Sequence, residues 1–119
     1  MRKIKFKAKQ LNSGEWFEGD LVHLGNRVCI GGDNIKDGIT DVDPETVCQF
    51  TGLTDCKGKE LFEHDLIHIV GSNYASEVIW SEGRYAFMVV CENKHSYGLY
   101  SVLKACKIER IGNKFDKEK

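Results

Sequence analysis

The sequence predicts an all-β fold, and three observations carry that expectation. Apolar residues recur at a period of two in short runs, as with Ile4, Phe6 and Ala8 set between lysines. Twelve glycines and a single proline lie among seven or eight such runs. A ten-residue phrase also occurs twice, as EWFEGDLVHL at 15–24 and ELFEHDLIHI at 60–69, with six positions identical. A recurring turn-and-strand phrase marks a repeated structural unit. The expected architecture is therefore a single barrel-like domain over 1–119. It is built from short antiparallel strands with an internal duplication and at most short helical turns. Its halves fall near 1–54 and 55–119, each too small to stand without the other.

Taken in order, residues 3–9 form a half-buried strand. Lys3, Lys5, Lys7 and Lys9 share one face, and Ile4, Phe6 and Ala8 share the other. Lysines along one face protect an edge strand from pairing with a stranger or simply face water, and either role is favoured over tracking a phosphate backbone. Asn12-Ser13-Gly14 is a turn. Glu18-Gly19-Asp20 then forms a tight corner, matched in the second copy by Glu63-His64-Asp65. Glycine there implies a positive φ, which histidine tolerates better than most residues. Beyond each corner, alternation sends Val22 and Leu24, and likewise Ile67 and Ile69, into the interior. Leu21, Leu66, His23 and His68 fall on the opposite face.

A short strand over 26–30 follows, and the Gly- and Asp-rich stretch 31–41 reads as a loop. Asp43-Pro44-Glu45-Thr46 has the cap, the N1 proline and the acidic first turn of a single helical turn. Asp55-Cys56-Lys57-Gly58 is a four-residue turn. Residues 77–80 and 85–91 form a hairpin around Ser81-Glu82-Gly83-Arg84. Residues 99–111 read as the last strand or strand pair, although Val102, Ala105 and Cys106 also fit helical spacing. The charged tail 113–119 is expected to fray.

Composition narrows the class of function. The net charge is −1, but the first ten residues carry five bases and no acid, while 33–65 hold nine acids against three bases. Such a split fits ends that lie against an acidic centre within the fold or between subunits. It also fits, less well at a near-neutral pI, a nucleic-acid surface. No run approaches the ~20 apolar residues of a membrane span. The basic start has no apolar stretch behind it to make a signal peptide, so a cytoplasmic protein is expected. Five cysteines at wide spacings read as reduced, mostly buried thiols. Cys48 and Cys56 lie eight apart, outside the ~2–4 spacing of a zinc knuckle.

No catalytic constellation is legible. Glu18/Asp20 and Glu63/Asp65 are paired carboxylates whose separation in extended chain, about 6.5–7 Å, overlaps that of an inverting glycosidase. Acids flanking a corner more commonly accept backbone N–H groups, and a catalytic pair seldom comes in duplicate. His64 and His68 have i, i+4 spacing, but on a strand they stand about 13 Å apart, too far to share one ion. Lys5-Phe6-Lys7 alternates its ring away from its charges, so that ring cannot stack on a base the lysines hold. Trp16, Tyr85, Phe87, Tyr97 and Tyr100 would serve better as a stacking platform, although both tryptophans are expected in the core.

The run DPETVCQFTGLTDCKGKELFEHDLI at 43–67 resembles the defining stretch of the YopX-like family of small phage and prophage proteins. The matches are Asp43 to Val47, Gln49 to Leu53, Asp55, Gly58, Lys59 and Glu63 to Ile67. IKFKAK near the start and Ile111-Gly112-Asn113 near the end also fit, so the resemblance spans most of the chain. His64 departs from it where glycine is usual, and Cys48 where a small residue is usual. The resemblance implies a β-rich pseudo-barrel and a mobile-element origin in a bacterial host. It implies no activity, cofactor or site residue. The functional expectation is a non-catalytic binding or assembly module, self-associating or binding a protein through Lys3, Lys5, Lys7 and Lys9. The alternatives are nucleic-acid binding through the basic terminal strands and a hydrolase using the paired carboxylates. No cofactor or metal is expected.

Overall fold

The structure, a computed structural model, describes residues 4–32, 35, 38–71, 75–91 and 95–116. It is all-β apart from one short helix and divides into two compact units, Met1–Phe50 and Thr51–Lys119. Its strands form two open antiparallel sheets, neither closed on itself. No helix among the described residues is long and apolar enough to cross a membrane.

The first unit holds β1 (Phe6–Lys9), β2 (Trp16–Leu24), β3 (Arg27–Gly31), β4 (Ile39–Asp41) and the first residues of β5 (Cys48–Thr54), in the order β4-β3-β2-β1-β5. Ala8, Ile30, Ile35 and Val42 form its core, with Phe6, Phe17, Leu21, Val28 and Val47 packed against them. The expected turn at 44–46 is present as one turn of 3-10 helix. The Asp43 side chain accepts the Glu45 N–H at 3.0 Å, and the Thr46 hydroxyl accepts the Lys9 N–H at 2.9 Å while donating to the Asp43 carbonyl. The stretch expected as loop contains β4, which pairs Cys29 with Asp41 and Ile30 with Thr40.

β1 is not an edge strand. It lies between β2, which pairs Lys9 with Trp16, and β5, which pairs Lys7 with Cys48. Its lysine face is covered as well as its apolar one. Lys7 is only 6% exposed, its ammonium 4.6 Å from the centre of the Trp16 ring. Lys9 shares that ring and Lys5 stands over Phe50. An aromatic face attracts a cation while the lysine stem packs as a hydrocarbon. Alternating lysines can therefore mark a face roofed by aromatic rings instead of one open to water.

The second unit holds the end of β5, then β6 (Glu60–Phe62), β7 (Asp65–Ile69), β8 (Ala75–Ser81), β9 (Ala86–Val90), β10 (Ser96–Gly98), α1 (Leu99–Ala105) and β11 (Ile108–Asn113). β6 lies beside β5, and the remaining strands are ordered β10-β9-β8-β7-β11. Leu61, Ile67, Val78, Val89, Leu99 and Ile108 form the core. The segment expected as a final strand splits into helix and strand, because Leu99, Val102 and Leu103 repeat at helical spacing and all pack on that core. The tail expected to fray from 113 is fastened through 116. Asn113 is buried, and Asp116 accepts its N–H at 2.9 Å; residues 117–119 lie outside the described residues.

The two copies of the repeated phrase fold differently. Residues 16–24 run straight through as β2, whereas 60–69 break into β6, a corner and β7. His64 takes φ 71° at that corner, its N–H donating to Val78 O at 2.7 Å and its carbonyl accepting from Lys114. Gly19 keeps ordinary extended backbone and serves another purpose. A Cβ there would sit 2.2 Å from the carbonyl oxygen of Gly31 on the paired strand. Only glycine lets β2 and β3 approach that closely.

This difference decides which side chains point inward. A continuous strand carries the face of Phe17 on to Leu21, and both reach the core. Val22 is then half-buried and Leu24 is exposed, contrary to expectation. In the second copy the corner resets the phase, so Ile67 is buried in the core and Ile69 packs against it, as expected.

β11 has one edge on β7 and the other covered by the Asp55 turn. Cys56 N–H donates to Ile108 O at 3.0 Å, and the Asp55 carboxylate accepts Arg110 N–H at 2.8 Å along with the Lys57 and Lys59 N–H groups. Edge protection therefore comes from this turn. Burial pushes the Asp55 carboxyl up, but the three backbone donors and nearby Lys59 outweigh it and hold it below the usual carboxylate range.

Two predictions follow from this packing. Gly19→Ala should destabilise the chain by about 1–3 kcal/mol through overpacking, whereas Gly83→Ala, where a Cβ meets nothing within 4 Å, should stay within about 0.5 kcal/mol of wild type. Urea unfolding measures both. Asp55→Asn keeps one acceptor oxygen but turns an N–H towards that of Arg110, and should cost about 2 kcal/mol at neutral pH. The native carboxyl is depressed, so its contribution is full above the unfolded value of about 3.9 and is lost as pH falls through the native value. The stability gap between wild type and this variant should thus be constant at neutral pH and narrow below about pH 4.

Candidate functional site

The residues singled out by their charge are mostly committed to structure. Lys3 lies outside the described residues. Lys5 pairs with Glu18 at 3.5 Å in addition to covering Phe50, and Lys7 and Lys9 are held against Trp16. They do not form a free basic surface. Glu18 and Asp20 lie on the exposed face of β2 and flank no corner. Asp65 is fully buried. Its Oδ2 accepts the Phe62 N–H at 2.7 Å, and Asn113 Nδ2 donates to its Oδ1 at 2.8 Å. Arg110 Nε lies 3.0 Å from Oδ2 as an ion pair, its N–H not aimed along the contact.

Glu63 and His64 belong to the same hub. His64 Nδ1 is 2.9 Å from Glu77 Oε2, and its Nε2 is 3.6 Å from Glu63 Oε2. The imidazole packs edge-on against Phe115, with ring centres 5.3 Å apart. These contacts bind the corner to the end of β11 and leave Asp65 closed to substrate. His68 is half-buried opposite Glu109, and His23 is exposed.

In the first unit, Arg27, Cys29 and Asp41 meet beside a recess of about 160 Å³ whose lining includes Arg27, Asp41, Leu11 and Pro44. Arg27 and the Cys29 thiol both donate to Asp41 Oδ1, at 2.6 and 3.2 Å. The Arg27 hydrogen bond, seconded by Cys29, lowers the Asp41 carboxyl. Burial, seconded by Asp41, raises the Cys29 thiol. A buried thiol held protonated is a poor nucleophile.

The remaining site lies in the second unit, and none of the charged candidates is among its lining residues. α1, β10 and the residues at the ends of β7 and β9 border a groove of about 380 Å³, lined by Ile69, Cys91, Tyr97, Ser101, Val102, Ala105 and Cys106. The volume falls within the ~300–1,000 Å³ typical of ligand pockets. Its surface is almost wholly apolar, and the described residues that line it include no carboxylate, imidazole or amine. Such a groove can hold an apolar group by desolvation. Its lining residues bring no acid–base pair. Sequence reading missed it because it is built from the helical spacing of Val102, Ala105 and Cys106, a pattern noted but assigned to a strand.

None of the five cysteines is in a disulfide; Cys29 and Cys48 are buried, Cys91 half-buried, and Cys56 and Cys106 exposed. The expectation of mostly buried thiols thus fails at two positions. No three metal-ligating side chains gather among the described residues. A thiol reagent added to the native protein should titrate Cys56 and Cys106 rapidly, Cys91 slowly, and Cys29 and Cys48 only on unfolding. Mass spectrometry of the labelled peptides gives that order directly, and labelled Cys106 becomes a reporter at the groove.

Two comparisons bear on the chain. The family model described as YopX protein matches residues 5–118. No curated protein matches it.

Proposed function

The chain belongs to the YopX family, and we propose that it is a non-catalytic binding module whose α1 groove receives an apolar side chain of a protein partner. The observation that supports this most is the groove lining: apolar, open and, among the described residues, without acid or base. Tyr97, in its lining, is 49% exposed. Exposed aromatics around an apolar recess are characteristic of protein-binding surfaces. On this reading the protein works in the cytoplasm of a bacterial host, as a mobile element's product would. Nucleic-acid binding through the amino-terminal lysines has less support, because Lys7 is buried and Lys5 and Lys9 stand over aromatic rings.

Ala105→Trp tests the proposal, since Ala105 is exposed on α1 and the indole would fill the groove without entering the core. Immobilised wild-type chain should retain protein partners from nuclease-treated host lysate, and Ala105→Trp should lose the same partners. Capture that vanishes with nuclease, or that is indifferent to Ala105→Trp, would overturn the proposal.

A further inference from the structure

The second unit carries a knob as well as a hole. The β8–β9 hairpin closes on the pair Ser81 and Ala86, and its loop holds Tyr85 at φ 52° with 80% of its surface exposed. Two things about Tyr85 are unusual. A bulky residue at positive φ is an outlier, where glycine would sit without strain. A large aromatic ring standing almost wholly in water is also costly to leave uncovered. Gly83 lies in the same loop, yet the left-handed position falls to the tyrosine. Backbone strain that holds a side chain outward is the kind found where that side chain makes an external contact. Beneath the loop, Trp80 and Phe87 pack edge-to-face with centres 5.0 Å apart and stiffen the hairpin from which Tyr85 projects.

The groove sits at the other end of the same strand. Cys91, in its lining, follows the end of β9, and Tyr85 precedes the start. Six residues of extended chain separate them by about 20 Å. A ring on one end of a rigid strand cannot fold back into a groove at the other, but the ring of one molecule can enter the groove of the next.

From this placement we propose that the occupant of the α1 groove is Tyr85 of a second copy of this chain. The proposal rests on the reading of the groove as a protein-binding site and names the partner. The chemistry of the two parts matches. The groove is apolar along Ile69, Val102 and Ala105, which suits the face of an aromatic ring. The groove surface is almost wholly apolar, so the ring of the incoming tyrosine lies in it while its hydroxyl stays at the mouth, in water. Knob and hole are different patches, so the contact either closes as an isologous pair in which each molecule's knob enters the other's groove, or runs heterologously, head to tail, as a ring or chain.

Sedimentation velocity on the full chain, over a series from low micromolar to near millimolar, tests the proposal. Wild type should associate with rising concentration. Tyr85→Gly should weaken that association about thirtyfold, the loss typical of a central aromatic anchor. Glycine adopts φ 52° freely, so this variant should melt no lower than wild type, which separates lost contact from lost fold. Ala105→Trp should be equally monomeric. Mixing the two should restore a complex, because one supplies an intact groove and the other an intact knob.

A wild type that stays monomeric throughout, a Tyr85→Gly variant that still associates, or a mixture that forms no complex would each overturn the inference. If wild type is monomeric but Ala105→Trp still abolishes capture of other proteins while Tyr85→Gly does not, this inference fails and the binding function stands.

Discussion

Two buried carboxylates meeting at one arginine hold the second unit together. Asp55 accepts the backbone N–H of Arg110, and Asp65 faces its guanidinium. Each also gathers the N–H groups of its own turn: Lys57 and Lys59 for Asp55, Phe62 for Asp65. β11 is therefore fastened through its edge and its side chains at once, and Ile108 is carried into the core. Buried charge is tolerated when its lone pairs are filled and it is paired. Here the filling comes largely from backbone donors, which belong to the fold itself. α1 runs directly into β11, so the wall of the groove takes its position from the same anchor.

Five of the polar residues that carry the resemblance to the YopX family bond to backbone. Asp43 caps a turn, and Thr46 joins that turn to β1. Thr51 donates to Leu61 O at 2.8 Å and accepts the Leu53 N–H. Asp55 and Asp65 act as described above. A signature made of such residues specifies where strands begin, bend and end. That explains why it identifies a fold so well and an activity so poorly. α1 and the β8–β9 loop contribute none of those matches.

The sequence was legible wherever a residue speaks to its immediate neighbours. The cap at Asp43, the Asp55 turn and the β8–β9 hairpin all rest on local chemistry, and all are present. It misled where the meaning of a residue lies on another strand. Gly19 signals a corner when read with its neighbours, and its actual reason is a carbonyl on Gly31. The lysines of β1 signal solvent by their period, and their actual surroundings are Trp16 and Phe50. The twin phrases show the limit most clearly. Identical acids and leucines fold as one straight strand or as two, because Gly19 needs no turn and His64 is fixed in one by Val78, Lys114 and Glu77. The groove was illegible for a related reason: its walls come from a helix, two strands and the loop ends between them.

Among the described residues, His64 and Tyr85 are the two non-glycine residues at positive φ; they share a backbone anomaly and differ in what offsets it. At His64 the strain is met from within. Its N–H and carbonyl are both hydrogen-bonded, and its ring is held between Glu77 and Phe115. At Tyr85 the ring stands in solvent. Removing the anomaly at 64 would loosen a corner on which β6, β8 and the end of β11 depend. Removing it at 85 would relax a loop and withdraw a ring from the surface. Strain balanced by internal contacts is an expense of folding, whereas strain that presents a side chain outward makes sense only in relation to something outside the chain. The position of that ring, at the far end of β9 from the groove, makes a second copy the simplest body to supply it.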